Sequence, residues 1–384
     1  MTSQNVRHIA VVGGGILAAS TAAALARQHA RVTLFVEDSL ASGASGRSLA
    51  WLNSYGVRSP EYHHLRLLGL DRYRTFASRF DAAPYLRFDG GLTWAVNGQA
   101  EGHREAFEHM RRIGYAAQWL SPDEVADVTP GVDPSAIPAE GAIFNPQEGW
   151  VDLPGLIDAL AKQVVELGGE IRTNSGRCDI TVADGRVTGV RTGHGDLLPF
   201  DTAVLATGAG VPGALAELGV SVPDATPIAL LVRTPPIDTA LRAVLNTPRV
   251  AVRPTPDGAL VLDSAWSEEE VVIHPDGTFE VHEETVRGLL EEASAVLEGN
   301  PALICESYGA GPKPIPGDGE PVLGALDGID GYHVAFTHSG ATLGLIAGEL
   351  IADEVVTGSR HPLLDPFRPS RFNTPASNPA SRSI

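Results

Sequence analysis

The hydrophobic residues near the start of the chain form two short runs with a helical stretch between them. His8–Val12 is an apolar run, a triple glycine follows it, and Ile16–Gln28 is rich in alanine and other good helix formers. A second β-branched run covers Arg31–Val36. Short apolar runs predict buried strands, whereas the longer stretch predicts a helix. The chain therefore starts with a β-turn-α-β unit, which is typical of α/β proteins with a parallel sheet.

Helix and strand patterns alternate again in the middle and at the end of the chain. They predict helices at Glu61–Phe80, Glu101–Ile113, Leu153–Leu167, Glu283–Leu297 and Gly344–Val356, and strands at Glu170–Arg172, Cys178–Val182, Arg186–Thr192, Thr202–Ala206 and Tyr332–Phe336. Asp184 and Gly185 predict a hairpin turn. Short strand patterns dominate between these α/β segments, so we interpret the chain as one α/β module interrupted twice by strand-rich insertions.

The composition narrows the class of protein. Of the 384 residues, 43% are apolar and 20% are charged, which is typical of a globular enzyme. A net charge of −19, from 28 basic and 47 acidic residues, argues against nucleic acid or an anionic membrane as a partner. Cys178 and Cys305 have neither a disulfide nor a zinc-site pattern, and we expect no metal. Because no signal-peptide or membrane-spanning pattern is found, we expect a soluble, cytoplasmic protein.

The triple glycine belongs to a dinucleotide-binding fingerprint. Gly13 and Gly15 take the first two glycine places of G-x-G-x-x-G, and Ala18 takes the third. The fingerprint follows a predicted strand and begins a predicted helix, as pyrophosphate binding requires. Glu37 ends the second strand one residue after the usual acid position, which Val36 occupies. Glu37 is either the ribose-binding acid or a solvated strand end.

Further segments resemble one flavoprotein family. They are ASGASGRS (residues 41–48), DTAVLATGAG (201–210), GPKPIPGDGEPVLG (311–324) and THSGATLGLIAGELIADEV (337–355). In this order and spacing, they resemble the D-amino-acid oxidase superfamily of FAD-dependent oxidoreductases, which includes glycine oxidase, sarcosine oxidase and D-amino-acid dehydrogenase. The resemblance extends over residues 8–358.

This resemblance implies a fold and a division into domains. It implies an α/β protein with a Rossmann-like, discontinuous FAD-binding domain (residues 1–87, 150–222 and 312–371) and a second, strand-rich α+β substrate domain (88–149 and 223–311). The prolines after Ser359 make the end of the chain a surface strap or a disordered end, with 372–384 as a flexible tail.

It also implies which residues contact FAD. The expected cofactor-binding residues are Gly13, Gly15, Ile16, Leu17, Glu37, Ser42, Ala44, Ser45, Arg47, Ser48, Ala206, Thr207, Gly208, Gly311, Ser339, Gly340, Ala341 and Thr342. Relatives with covalent FAD use a histidine or a cysteine at places where this chain has Arg47 and Gly311, and Cys305 comes several residues too early. We therefore expect non-covalent FAD.

The implied activity is oxidation of a C–N bond in a small amine or amino acid, of the D-amino-acid or N-alkylglycine type. Hydride would pass to the flavin and the imine would then hydrolyse. His338 is the candidate proton acceptor, or else it only shapes its turn. Lys313 stands where many relatives have arginine, and its charge could anchor substrate or favour reaction with dioxygen.

Candidate substrate-binding residues follow from spacing and charge. Trp51, Asn53 and Tyr55 alternate along an extended segment, so they line either the pocket or an ordinary strand face. A substrate carboxylate needs a buried cation, and the sequence does not choose among Lys313, Arg233 and Arg253, with Tyr308 nearby. The expected partners are a small amine or amino acid and dioxygen or another electron acceptor. The alternatives are an FAD-dependent 2-hydroxy-acid dehydrogenase and a flavin-binding protein without turnover.

Overall fold

The computed structural model describes residues 8–79, 85–96 and 100–373. Within it the chain forms two compact units, each made of separate segments. Unit 1 consists of Met1–Gly43, Ile157–Thr226 and Lys313–Ile384, and unit 2 of Ala44–Leu156 and Pro227–Pro312.

The strands are β1 (His8–Val12), β2 (Arg31–Phe35), β3 (Trp51–Leu52), β4 (Leu86–Arg87), β5 (Gly91–Thr93), β6 (Gln118–Leu120), β7 (Ala142–Asn145), β8 (Gly149–Val151), β9 (Glu170–Arg172), β10 (Asp179–Ala183), β11 (Arg186–Arg191), β12 (Leu197–Pro199), β13 (Thr202–Leu205), β14 (Ile228–Arg233), β15 (Val244–Asn246), β16 (Ala251–Pro254), β17 (Leu260–Asp263), β18 (Val272–Ile273), β19 (Phe279–Glu280), β20 (Ser307–Pro312), β21 (Val322–Ala325) and β22 (Tyr332–Phe336).

The helices are α1 (Ile16–Arg27), α2 (Pro60–Arg79), α3 (Ala100–Arg112), α4 (Pro122–Val128), α5 (Leu153–Glu166), α6 (Val211–Glu217), α7 (Ala265–Glu269), α8 (Glu283–Val296) and α9 (Gly340–Thr357). Short 3₁₀ turns cover Ala44–Gly46, Pro134–Ala136, Gly208–Gly210, Pro362–Phe367 and Pro369–Asn373. Among the helices of the described residues, none is both long enough and apolar enough to cross a membrane.

Unit 1 is built on a mostly parallel sheet with the order β21-β22-β13-β1-β2-β9. Only the β21–β22 pair is antiparallel among its strand pairs in the described residues. A separate antiparallel sheet has the order β10-β11-β12. Asp184 and Gly185, with φ of +50° and +70°, turn the chain between β10 and β11 as predicted.

Unit 2 is built on an eight-stranded sheet with the order β20-β14-β17-β16-β15-β5-β7-β6. Leu92, Leu245, Val252 and Leu262 lie on one face of this sheet, in a core shared with Leu289 of α8. Because side chains alternate along a strand, their neighbours lie on the opposite face. The strand register places Thr93, Asn145, Arg233, Asn246, Arg253 and Asp263 on that second face, which we call the polar face.

The predicted α/β class, with a Rossmann-like part and a strand-rich α+β part, is confirmed. The predicted helices agree with the structure to within one residue at each end, except for the last one. Phe80, the predicted end of the second helix, lies outside the described residues. α9 begins at Gly340 and not at Gly344, so the prediction of its start was wrong. The glycine at its first position hid the start, because glycine is a poor helix former.

The end of the chain differs from the predicted surface strap. Leu364 and Phe367 are almost fully buried. Arg368 is also buried, and its Nη2 donates to Glu354 Oε1 over 2.6 Å. Two apolar side chains and one ion pair therefore anchor the segment that ends at Asn373. Of the predicted flexible tail, residues 374–384 lie outside the described residues.

The compact units depart from the predicted domains mainly at residues 44–87. These were assigned to the FAD-binding domain, but they cluster in unit 2. Two sets of contacts cause this: β3 and β4 both pair with β8, and Arg66 of α2 donates to Asn53. The other boundaries lie within seven residues of the predicted ones.

The buried Arg368–Glu354 pair gives a stability prediction. We expect Arg368→Met to lower the free energy of unfolding by about 3–5 kcal/mol, since it leaves the buried Glu354 carboxylate without its cation. The control is Arg360→Met, because Arg360 pairs with Asp327 at the surface, and it should cost less than about 1 kcal/mol. Urea unfolding followed by circular dichroism measures both. Equal effects of the two substitutions would contradict the prediction.

Candidate active site

The turn after β1 is a place where three backbone segments meet. Gly13 has φ of +139°, and a Cβ there would lie 2.2 Å from the carbonyl oxygen of Ala206, just after β13. A Cβ on Gly14 would lie 2.6 Å from Val36 Cγ1, just after β2. The Gly13 N–H also donates to the Phe35 carbonyl. Only glycine fits this turn, which leaves backbone exposed to a ligand at the carboxyl ends of parallel strands.

Two helix N-termini come together beside this turn. α1 and α9 lie so close that Ser20 Oγ donates to the Gly344 carbonyl over 2.6 Å. At their N-termini, a Cβ on Gly340 would lie 3.4 Å from Ile16 Cγ2. Among the described residues, no capping side chain and no first-turn acid neutralises either N-terminus. Both helix dipoles therefore place positive partial charge at one edge of the sheet, which suits an anionic ligand.

The loop that carries the predicted cofactor contacts is split between the two units. The Ala41 N–H donates to the Gly14 carbonyl, so the loop starts against the glycine turn. Ser42 belongs to unit 1, whereas Ala44, Ser45, Arg47 and Ser48 belong to unit 2. Glu37 is exposed at the end of β2, and Val36 before it is buried against Gly14. Whether Glu37 binds ribose stays a prediction.

The remaining predicted cofactor residues of unit 1 lie at the same edge of its sheet. Ala206, Thr207 and Gly208 directly follow β13, and Gly208 has φ of +60°. Ser339 is the N-cap of α9, with Gly340, Ala341 and Thr342 in its first turn. Gly13, Gly15, Ile16 and Leu17 form the turn and first residues of α1. Unit 1 thus brings together most of the predicted cofactor-binding residues.

Arg47 and Gly311 lie together in unit 2. A Cβ on Gly311 would lie 2.5 Å from Arg47 Nη2, and one on Gly309 would lie 3.0 Å from Arg47 Cδ. The arginine therefore lies across two glycines of β20. Its burial lowers the pKa of Arg47. A side chain at position 311 would therefore collide with Arg47, independently of the predicted cofactor contact of Gly311.

The predicted catalytic and substrate residues differ in exposure. His338 is exposed, just before the N-cap of α9, and Lys313 is half-buried directly after β20. Tyr308 is 53% exposed on β20, an edge strand of the unit 2 sheet. The Trp51 and Tyr55 rings have centroids 5.8 Å apart, whereas Asn53 is buried and accepts from Arg66 Nη2 through Oδ1.

Sequence reasoning missed a buried acid, Glu148. Its side chain is fully buried and accepts from Tyr115 Oη over 2.5 Å and from Trp51 Nε1 over 2.9 Å. Burial raises the pKa of Glu148 to about 8, although these two hydrogen bonds and the Arg66 charge lower it. The residue follows β7 in the turn Asn145-Pro-Gln-Glu, where a sequence pattern predicts an exposed side chain. Its partners come from distant segments, so no local signal could have found it.

Two residues on the polar face of the unit 2 sheet have side-chain atoms without a hydrogen-bond partner among the described residues. Asn145 is fully buried and neither Nδ2 nor Oδ1 has a partner there. Arg253 is 3% exposed and its Nε has no partner. Buried polar groups normally have partners, so Asn145 and Arg253 are candidates for contact with a ligand or an ordered water.

Comparison with known proteins identifies the family. A family profile described as "DAO: FAD dependent oxidoreductase" matches residues 8–354. The chain belongs to this family. The FAD-dependent oxidoreductase is 25% identical to glycine oxidase of Geobacillus kaustophilus (strain HTA426) over 361 residues, which cover 90% of this chain and 92% of the relative.

Two further known proteins match the chain over different shares of their own length. The crystal structure of glycine oxidase from Bacillus cereus ATCC 14579 has the same fold, with a TM-score of 0.78 at 22% identity over 94% of this chain and 97% of that one. The 4-methylaminobutanoate oxidase (formaldehyde-forming) of Paenarthrobacter nicotinovorans is 27% identical over 232 residues, 60% of this oxidoreductase but only 28% of the relative.

FAD fits the arrangement in unit 1. The two helix N-termini would supply positive partial charge for its diphosphate, and Gly13 and Gly14 keep side chains away from the turn that would bind it. Family membership and geometry agree, so the oxidoreductase uses FAD. That the FAD is non-covalent stays a prediction.

The glycine turn gives a cofactor prediction. We expect Gly13→Ala to lower FAD affinity at least about tenfold, because the added Cβ would overlap the Ala206 carbonyl and force the strands apart. The control is Gly213→Ala in α6, where a Cβ meets nothing within 4 Å. Flavin bound per protein, measured by absorbance after titration of apoprotein, reports the effect. Normal FAD content in folded Gly13→Ala protein would contradict it.

Glu148 gives a pH prediction. Its pKa in the folded state, about 8, lies above its ordinary value of 4.5, so the folded state holds a proton that the unfolded state releases. This contribution to stability is complete below about pH 4.5 and is lost as the pH rises to about 8. Glu148→Gln keeps a neutral amide and should remove this part of the pH dependence. Unfolding curves between pH 5 and 8.5 test it, and equal slopes for both proteins would contradict it.

Proposed function

We propose that this oxidoreductase oxidises the C–N bond of a small amine or amino acid, of the D-amino-acid or N-alkylglycine type. The observation that carries the proposal is the match to glycine oxidase along nine-tenths of both chains. The name of the second relative, 4-methylaminobutanoate oxidase, also describes oxidation of an amino-bearing carboxylic acid.

The reaction needs little from the protein beyond binding and orientation. The carbon next to the neutral amine loses hydride, the nitrogen lone pair forms the C=N bond, and the nitrogen loses a proton. FAD, when bound, accepts the hydride and its two electrons. Water then hydrolyses the imine to a carbonyl compound and an amine or ammonia. The chain must therefore hold the substrate in its neutral-amine form and accept one proton.

Several candidate residues support the proposal. The N-terminus of α9 places positive partial charge among the predicted flavin contacts, which would favour the negative charge of reduced FAD. His338, next to this N-terminus, is the candidate proton acceptor. Lys313 adds a cationic side chain, for which we propose a role in the reaction with dioxygen. Unit 2 supplies the candidate substrate contacts, with Trp51 and Tyr55 as an aromatic pair.

The decisive experiment is an anaerobic screen for bleaching of the flavin absorbance. We expect small amino acids or N-alkylglycines to bleach it and 2-hydroxy acids to leave it unchanged. Re-oxidation in air, compared with re-oxidation by a quinone dye, then separates an oxidase from a dehydrogenase. Bleaching only by 2-hydroxy acids would contradict the proposal, and bleaching by none of these compounds would indicate a flavin-binding protein without turnover.

His338→Ala separates the amine and alcohol reactions further. An alcohol keeps its proton until hydride leaves, so its oxidation depends on a general base that contributes about 10²–10⁴ in rate. A neutral amine can lose hydride before its nitrogen loses a proton, so the rate of hydride transfer depends far less on a base. We expect the substitution to slow anaerobic bleaching by an amine less than about tenfold, measured by stopped flow. A loss of about 10³ would contradict amine oxidation without a strong base.

A further inference from the structure

The buried carboxyl group of Glu148 is attached to both ends of the segment from Trp51 to Ser54. Its Oε2 accepts from Trp51 Nε1 over 2.9 Å. Its Oε1 accepts from Tyr115 Oη over 2.5 Å, and the same Oη accepts from the Ser54 N–H over 2.9 Å. One carboxyl group therefore holds Trp51 directly and Ser54 through Tyr115. Tyr55 comes directly after this segment, and its ring lies beside that of Trp51.

The backbone of Glu148 is itself fixed to the eight-stranded sheet. Its carbonyl accepts from the N–H of Gly90, the residue before β5, over 3.0 Å. A Cβ on Gly91 would lie 2.3 Å from Glu148 Oε2 and 2.8 Å from Trp51 Nε1, so this glycine leaves the space that both groups occupy. The next residue, Leu92, lies on the apolar face, and Gly91 is therefore directed to the polar face. The indole of Trp51 lies on that polar face.

The same part of the polar face carries side chains that are candidates for ligand contact. Asn145 pairs with Gly91 across β7 and β5, and its amide has no hydrogen-bond partner among the described residues. Because paired residues on antiparallel strands have Cβ atoms about 5 Å apart, Asn145 lies close to the Trp51 indole. Trp51 also pairs with Trp150 across β3 and β8, and the Trp150 ring stacks on Arg253. Trp51 therefore adjoins both candidate contacts.

The hydrogen-bond partner of the Trp51 indole differs from those of other tryptophans. Trp119, Trp150 and Trp266 each donate to a backbone carbonyl oxygen, over 2.8, 3.0 and 2.7 Å. A carbonyl oxygen would satisfy the Trp51 N–H as well, whereas burial of a carboxyl group costs free energy and raises its pKa. The carboxyl group adds a second oxygen, which holds Tyr115 at the same point. Its geometry is therefore suited to fixing a whole segment and not only one indole.

We propose that Glu148 is a positioning residue for the oxidation, because its two oxygens fix Trp51 and Tyr55 as an aromatic wall that contacts the substrate. This proposal rests on the proposed function, since it assigns the wall to the site of amine oxidation. The two rings supply apolar area that excludes water from the substrate. Hydride transfer requires the reacting carbon at a set place, so a displaced wall weakens productive binding. Glu148 acts only through the wall.

Kinetics of the FAD-loaded full chain test the wall, with the best substrate from the bleaching screen. Glu148→Leu removes both hydrogen bonds, and we expect it to raise KM about 10-fold and to change kcat less than about threefold. Glu148→Gln keeps an oxygen for the indole and an amide donor for Tyr115 Oη, so KM should stay within about threefold of the parent value. In Trp51→Phe, which has no indole N–H, Glu148→Leu should raise KM at most about threefold.

The nuclear magnetic resonance signal of the Trp51 indole N–H measures the contact without turnover. The signal is assigned by its loss in Trp51→Phe. It should keep its hydrogen-bonded chemical shift in Glu148→Gln and move upfield in Glu148→Leu. Gly91→Ala changes neither partner but places a methyl group where Oε2 lies, so it should reproduce the upfield shift and the higher KM. Melting temperatures show which variants are folded.

Two controls match these substitutions. Trp266→Phe removes an indole N–H that donates to the Arg249 carbonyl, and Glu105→Leu replaces an exposed acid of α3. Both should leave KM and the Trp51 signal unchanged. If no compound bleaches the flavin, calorimetry compares the same variants, with the dissociation constants of the screened compounds in place of KM.

The outcomes separate this proposal from the proposed function. An equal effect of Glu148→Leu on KM in the parent and in Trp51→Phe would overturn the positioning role even if amines bleach the flavin. An unchanged Trp51 signal in folded Glu148→Leu would overturn it as well. Bleaching only by 2-hydroxy acids, with a KM that depends on Glu148 through Trp51, would overturn the proposed function alone. If the parent protein bound none of the screened compounds, both proposals would be wrong.

Discussion

The contact between Gly13 and the Ala206 carbonyl is the constraint on which unit 1 depends. The backbone after β1 passes where a side chain would overlap the end of β13, and the next residue, Gly14, is closed off in the same way by Val36. These contacts bring the ends of three strands together. α1 starts at this point, and the Ser20–Gly344 hydrogen bond brings α9 close enough for both N-termini to share one edge. The predicted diphosphate site would therefore be a consequence of close backbone packing and would use few side chains.

In unit 2 the main constraint is the difference between the two faces of its eight-stranded sheet, one apolar and one polar. Its apolar face is closed by Leu289 and other residues of the core. The polar face carries ionisable and amide groups that are nevertheless buried, among them Arg253 and Asn145. Such groups cost stability unless they are compensated. Apolar residues of similar volume would pack there without this cost, so Arg253 and Asn145 are candidates for a functional role in unit 2.

The sequence correctly predicted the elements whose signals lie in residues close together along the chain. The β1-turn-α1-β2 unit has local signals, so its bounds were predicted to within one residue. The start of α9 was missed because glycine at Gly340 gives no helix signal, although the packing of α9 on α1 fixes it there. Residues 44–87 cluster in unit 2 for a related reason. β3 and β4 pair with β8, α2 is tied to Asn53, and these pairings are not visible in local patterns.

Glu148 and Arg253 show why the candidate site could be predicted only in part. Glu148 lies in a turn pattern that predicts solvent exposure, whereas Arg253 was one of several candidate buried cations among which the sequence could not choose. Both are buried by residues far along the chain. Their compensation differs. Each oxygen of Glu148 accepts a hydrogen bond, from Tyr115 and Trp51, so the acid is complete within the protein. Among the described residues, Arg253 donates one hydrogen bond, to the Pro254 carbonyl, and the charges of Asp152 and Asp263 act on it without a hydrogen bond. The same energetic rule therefore sets the two residues apart: Glu148 is hydrogen-bonded through both oxygens, whereas Arg253 is compensated only in part by the described residues.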